Sequence, residues 1–386
     1  MYIQREIETE IIRLFKKFPV VTLTGPRQSG KTTLLKHVFP DLKYHSLEDP
    51  GIREFAQTDP IAFLSQADDG LILDEIQRVP ELVSYIQGLV DDKNKPGMYI
   101  LSGSQQFELT RSISQSLAGR TAILRLLPFS LYEAYEDLES VKTDTFIFNG
   151  FYPRIFAYGL NPTEFYSNYL ETYIRRDLNE LISIKDVRLF QRFIQLCAGR
   201  TGQIFVASNL ADEVGVSVKT IQAWLSILEA SYLVYVLNPF HANINKRLIK
   251  SPKIYFYDAG FAAYLLGIKN PEQIGASPLR GPLFENMVLM ELKKYLTNRG
   301  MVDNLYFFRD SHHNEVDIMF DKGTSYDIVE IKSAQTFNNN LFRGLDYIRN
   351  IFTDKTIRTT LCYDGPLNQE FKNHQIINFR YLIQNF

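Results

Sequence analysis

Cysteine is nearly absent: the 386 residues hold only Cys197 and Cys362, far apart and each in an apolar setting. That excludes a disulfide framework and a cysteine-ligated zinc site, and reads as two reduced, packed thiols in a cytoplasmic protein. Long apolar runs are missing too. No stretch approaches the roughly 18 apolar residues of a membrane-spanning helix, so no membrane span is expected. Met1 to Phe18 alternates Glu, Arg and Lys with Ile and Leu at helical spacing, without the unbroken apolar stretch of a signal peptide. Charge of one sign is not in excess either, since 42 Lys and Arg oppose 44 Asp and Glu. A net charge of −2 gives no overall attraction to nucleic acid or to an anionic membrane, so any such contact has to come from a local basic patch. Against these absences stands a 45% apolar content, enough to build buried cores in a chain long enough for two or three domains.

The most informative segment is Gly25-Pro26-Arg27-Gln28-Ser29-Gly30-Lys31-Thr32, which fills every fixed position of Gly-x-x-x-x-Gly-Lys-[Ser/Thr]. A β-branched run, Val20 to Thr24, precedes it, and a helix-forming run from Thr33 to Phe39 follows before Pro40. In that context the glycines let backbone N–H groups curl around phosphate oxygens, helped by the positive end of the helix. Lys31 then reaches the β- and γ-phosphates, and the Thr32 hydroxyl ligates Mg²⁺. The loop is expected to be exposed. Gly70 to Glu75 reads as a strand buried on both faces and ending in two acids. Asp74 is expected to hold Mg²⁺ through water, and Glu75 to act as the base for the attacking water. ATP binding and hydrolysis follow as the expected chemistry.

Residues 1–130 alternate strand and helix signals, the rhythm of a parallel α/β sheet. Met98 to Leu101 reads as another buried strand, ending at Ser104 and Gln105. Those two are either sensors of the γ-phosphate or a helix cap. Arg120 reads as an arginine finger for a neighbouring subunit, which implies an oligomer, or as a solvated charge at a helix end. Residues 131–189 are mostly helical, a linker or lid.

Residues 190–255 carry a different signature. A helix capped at Ser208, a turn at Gly215, and a helix from Val218 to Glu229 with Ile221, Leu225 and Leu228 inward lead into a strand, Tyr232 to Leu237. This reads as a winged helix-turn-helix. Lys219, Thr220 and Gln222 would face a groove, and a wing loop would add Lys246, Arg247, Lys250 and Lys253. The partner is either duplex DNA or a protein.

Residues 256–386 hold a second constellation. Glu285 opens a long amphipathic helix. Asp317 lies on one strand, and Glu330 and Lys332, two apart on the next, share a face. The acids would gather a second Mg²⁺ or Mn²⁺, with Lys332 supporting attack on a phosphate; a local ion-pair cluster is the competing account.

Taken together, the P-loop, Leu71 to Gln77, Leu101 to Gln105, Leu117 to Arg120, Thr172 to Leu178, the helix-turn-helix, Gly281 to Leu292 and Glu315 to Lys332 carry a resemblance. The chain resembles the AAA+-type P-loop ATPases of bacteria and archaea that are fused to a C-terminal domain similar to PD-(D/E)XK nucleases. The resemblance implies ATPase roles for Lys31, Thr32, Asp74 and Glu75, and nuclease-motif positions for Glu285, Asp317, Glu330 and Lys332. It permits cleavage without requiring it. At the sensor position, where most AAA+ proteins have Asn, this chain has Ser104 or Gln105. The expected activity is an ATPase that acts on DNA, its nucleotide state moving the other two modules, or a regulatory switch that binds a protein partner and has an inactive nuclease-like domain.

Overall fold

The computed structural model describes residues 2–66, 70–93, 95–104, 116–173, 187–240, 250–353 and 355–386. Five parallel strands, β1 (Val20–Thr24), β2 (Lys43–Ser46), β3 (Leu71–Asp74), β4 (Tyr99–Gly103) and β5 (Thr121–Arg125), form the first sheet in the order β2-β3-β4-β1-β5. Side chains alternate between two apolar layers, as a strand period of two requires. Val21, Leu23, Ile72 and Ile100 meet the N-terminal helix Glu8–Phe15 and the helix Lys31–Val38 on one face. Val20, Leu71, Leu73, Tyr99 and Leu101 meet Leu82, Val83 and Ile86 of the helix Leu82–Lys93 on the other. The chain leaves β1 for the far edge at β2, returns through β3 and β4, and then passes to the other side of β1. The carboxyl end of β1 is therefore where connections diverge and a ligand crevice opens.

Beyond β5, helices Leu131–Ala134, Thr143–Asn149, Pro153–Tyr158 and Pro162–Tyr173 fold around a buried turn. Gly150 has φ 61°, and a Cβ there would lie 2.0 Å from the Tyr166 hydroxyl and 2.3 Å from Asp258 Oδ1. Only glycine lets Asp258 accept bonds from Phe151 N (2.7 Å) and Tyr166 Oη (2.6 Å) at that point.

Helices Val187–Ala198, Ala207–Val214 and Val218–Ala230 precede an antiparallel pair, β6 (Val234–Leu237) and β7 (Lys253–Phe256). Three expectations change here. The first turn of Ala207–Val214 has Val206, not Ser208, at its cap position, with no side-chain cap bond. The helix Val218–Ala230 buries Trp224 and Ile227 while Leu225 is only half-buried, because the indole packs against Phe190 and Phe193 at 5.2 and 5.6 Å between ring centres. Lys253 belongs to β7 and is buried, not part of a solvated loop.

The last sheet has the order β12-β13-β11-β10-β9-β8, from β8 (Leu305–Arg309), β9 (Glu315–Asp321), β10 (Ser325–Lys332), β11 (Thr356–Tyr363), β12 (Gln369–Phe371) and β13 (His374–Asn378). Strands β8, β9 and β10 run antiparallel in turn, and β10, β11 and β13 are parallel. The helix Arg280–Asn298 contacts β10 and also β5 of the first sheet, and Arg343–Ile351 packs against β9, β10 and β11. Arg280–Asn298 is not amphipathic as expected: from Asn286 to Leu292 every residue is buried. Its polar groups are paired instead. Lys294 meets Glu291 at 2.6 Å, and Glu291 Oε2 accepts from Leu131 N at 2.8 Å. Among the described residues, no helix is long and apolar enough to cross a membrane.

Candidate functional site

The P-loop folds as the glycines dictate. A Cβ at Gly25 (φ 147°) would sit 2.1 Å from Leu126 O, so the loop approaches the next strand as only glycine can. Gly30 (φ 93°) turns the chain into Lys31–Val38. Lys31 is not exposed. It is buried, and its Nζ donates to Gly25 O and Pro26 O, both at 2.9 Å. Burial pulls the ammonium down to about 8, against the pull of Glu75 and Asp74. The buried Ser29 hydroxyl has no partner among the described residues, an open polar position inside a loop built for an oxyanion.

Asp74, at the carboxyl end of β3, is held by four donors: Thr32 Oγ1 and Tyr44 Oη at 2.6 Å, Ser102 Oγ at 2.5 Å and Glu75 N at 3.1 Å. The Thr32 hydroxyl and the Asp74 carboxylate thus already touch, and this is the pair of oxygen ligands that suits Mg²⁺. Glu75 adopts a left-handed backbone (φ 56°), which turns its carboxylate toward Gln77 Nε2 and Ser104 Oγ, the latter at 3.2 Å. Ser104 is therefore beside the expected base. Gln105 lies outside the described residues.

The loop opens into a cavity of about 900 Å³ lined by Arg27, Gln28, Gly30, Lys31, Thr32, Thr33 and Glu75, and also by Tyr2, Arg5, Arg154 and Tyr158. Sequence reasoning missed these last four. Arg5 ties the N-terminal segment to the loop, donating to Ser29 O at 2.9 Å and Leu127 O at 2.8 Å. Arg154 follows the Gly150 turn and Pro153, which starts its helix; that Gly-x-x-Pro-Arg spacing was the available signal. Arg120 stands apart. It precedes β5, at the amino end of the strands while the P-loop follows the carboxyl end of β1, in a two-toothed pair with Asp91 at 2.6 and 2.8 Å. It does not serve the cavity of its own chain.

Lys219 and Gln222 are exposed on Val218–Ala230, and Thr220 is half-buried, its N–H capped by Ser217 Oγ at 3.1 Å. Lys246 and Arg247 lie outside the described residues.

In the C-terminal region Glu285, Asp317, Glu330 and Lys332 do converge, but around two ammonium groups. Lys253 Nζ lies 2.5 Å from Glu315 Oε1, 3.4 Å from Glu285 Oε1 and 3.9 Å from Asp317 Oδ1. Lys332 Nζ lies 2.6 Å from Glu330 Oε1 and 3.4 Å from Asp317 Oδ2, which also accepts from Ile331 N at 2.8 Å. Tyr255 Oη donates to Glu285 at 2.5 Å. Burial, then the Asp317 charge, raises Glu285 to about 7 and Glu330 to about 8. Burial pushes Asp317 up as well, but Lys332 and Lys253 outweigh it and hold it below its usual value. The buried Glu330 Oε2 has no partner among the described residues. The expected second metal does not fit. Among the described residues no three carboxylate, histidine or cysteine groups are placed to hold one, because lysines fill the space between these acids.

Comparison with known proteins bears on the N-terminal region. Residues 17–135 match the model of an AAA domain, and residues 141–272 and 280–382 match two domains of unknown function, DUF8612 and DUF4143. The uncharacterized proteins Rv2008c of Mycobacterium tuberculosis and Mb2031c of Mycobacterium bovis are each 31% identical over 339 residues, covering 86% of this chain and 74% of theirs. Among solved structures, the Walker-type ATPase PABY2304 of Pyrococcus abyssi is 14% identical with a TM-score of 0.44, over 68% of this chain and 96% of that one. AMPPCP-bound DnaA from Aquifex aeolicus is 13% identical with a TM-score of 0.31, over 58% and 84%.

Proposed function

Since the chain belongs to the family of the mycobacterial protein Rv2008c and its residues 17–135 form an AAA domain, we propose that it hydrolyses ATP in a Mg²⁺-dependent reaction and couples this to duplex DNA. The observation that carries the ATPase reading is the contact of Thr32 with Asp74 beside Glu75, at the mouth of the P-loop cavity. On ATP binding, the Lys31 ammonium exchanges two backbone carbonyls for phosphate oxygens, and the N–H groups of the loop take the rest of the charge. Thr32 and Asp74 would hold Mg²⁺, which would supply charge neutralisation for the phosphates. Glu75 accepts the proton of the attacking water while Ser104 fixes the carboxylate's direction.

For the partner, the support is the exposed Lys219 and Gln222 on a helix whose neighbours match a winged helix-turn-helix: two helices before it, and the β6–β7 hairpin after it. The succession of Arg280–Asn298, three antiparallel strands, Arg343–Ile351 and a parallel strand supports reading the last region as a nuclease-like fold. The test is ATP turnover by the full chain with Mg²⁺, with and without duplex DNA. Turnover that DNA stimulates, and that loses its stimulation in Lys219→Ala or as salt rises, supports the reading. Turnover indifferent to DNA at low salt, with no gel shift, gives the protein-partner reading instead.

A further inference from the structure

We propose that Lys253 is the resident cation of the C-terminal carboxylate cluster and that it shuts divalent metal out of a nuclease-like fold. The lysine does not come from that fold. It enters on β7, whose backbone is fixed on both sides: β6 pairs along it, and Ile254 O accepts from Gly202 N at 2.8 Å. The stem is enclosed as well, with Lys253 only 2% exposed, so the ammonium stays among the acids. It reaches Glu285, Glu315 and Asp317, which come from the second turn of the helix Arg280–Asn298, the first residue of β9 and its third residue.

A Mg²⁺ or Mn²⁺ bound by these acids would need their oxygens at about 2.1 Å, and so would occupy the volume in which Nζ sits. It would also face Lys332, which already spans Asp317 and Glu330 from the other side. Two ammonium groups interleaved with the acids leave neither the space nor the uncompensated charge that a hard divalent ion requires. The cluster then works as a charged joint between the β6–β7 hairpin and the last sheet. Tyr232, two residues before β6, donates to Thr24 Oγ1 at 2.9 Å, at the end of β1 and next to Gly25. The hairpin that carries the plug is thus also tied to the P-loop strand.

The test is Mn²⁺ binding to the nucleotide-free full chain, read as the loss of the free-ion paramagnetic resonance signal. Four proteins are compared: the parent, Asp317→Asn, Lys253→Met, and the two changes combined, each checked for native circular dichroism. The parent and Asp317→Asn should bind Mn²⁺ identically, since any uptake at Thr32 and Asp74 does not involve Asp317. Lys253→Met should gain one site, tighter than anything in the parent at this cluster by about tenfold or more once the like charge is gone. Adding Asp317→Asn should remove that site. Parent binding that Asp317→Asn weakens overturns the proposal, and so does a folded Lys253→Met with no added site. Should Lys253→Met not fold, the comparison of parent with Asp317→Asn decides by itself.

Discussion

Replacing Lys31 by Met separates what the lysine does for the fold from what it does for the nucleotide. In the nucleotide-free protein this ammonium is buried and its pKa falls from 10.5 to about 8. That fall corresponds to about 3 kcal/mol of cost in holding the charge at neutral pH. Its two bonds to Gly25 O and Pro26 O return a similar amount, since charge-assisted bonds contribute about 1.5–3 kcal/mol each. Met keeps the stem's volume and discards both terms, so the stability of the nucleotide-free protein should change by no more than about 1–2 kcal/mol. The nucleotide effect is different. A non-hydrolysable ATP analogue with Mg²⁺ at a hundredfold excess over its dissociation constant should stabilise the parent by about 2.7 kcal/mol, and the variant not at all. Thermal unfolding with and without the analogue reads both. The sign of the pH dependence is also set: between about pH 8 and 10.5 the unfolded chain holds the proton that native Lys31 has lost, so this lysine makes stability rise with pH. The parent should show that rise relative to Lys31→Met. A variant that retains the analogue's shift, or one that loses more than about 4 kcal/mol without nucleotide, refutes this account of the loop.

Glu75→Gln should bind nucleotide like the parent but turn it over about 10²–10⁴-fold more slowly, as measured in a single-turnover assay. Gly150→Ala should cost about 3 kcal/mol or more in urea unfolding, because its Cβ would displace the Tyr166 hydroxyl and Asp258 at a positive φ. Glu330 and Glu285 ionise at about 8 and about 7 in the fold, against 4.5 normally, so the native state holds extra protons between about pH 4.5 and 8. Stability should therefore fall as pH rises through that window, and Glu330→Gln should flatten the decline in melting temperature from pH 5 to pH 8; an unchanged slope would place the titration elsewhere.

The P-loop was legible because its constraints are local. Phosphate cradling, the left-handed glycines and the strand before them all fall within about a dozen consecutive residues, and β1 has the bounds read from the sequence, Val20–Thr24. Strand periodicity likewise put Glu330 and Lys332 on one face, where the structure has them 2.6 Å apart. What escaped depends on segments distant in sequence. Lys253 read as a solvated charge because burial of a lysine makes sense only when Glu285, Glu315 and Asp317 are already in view. Leu225, read as inward, is only half-buried because Phe190 and Phe193, on another helix, select the Trp224 indole. The cavity wall from Tyr2, Arg5, Arg154 and Tyr158 comes from two segments, the N-terminal stretch and the helix Pro153–Tyr158, with no shared motif. The long helix hid its environment for a related reason: a helix enclosed on all sides has no polar stripe to reveal its orientation.

Leu126 and Leu127 are adjacent in the chain yet belong to different apolar clusters, the first to the P-loop sheet and the second to a cluster that runs on to Leu382. That larger cluster takes in Phe146, Phe193, Trp224, Tyr255, Leu289 and Ile331 without a break. Fragments of the gene ending at seams within that cluster would expose the oily interior of their neighbours. The same continuity restricts how such a chain can evolve. The segments that share this interior have to be inherited together, and Tyr232 on Thr24 binds them to the first sheet as well.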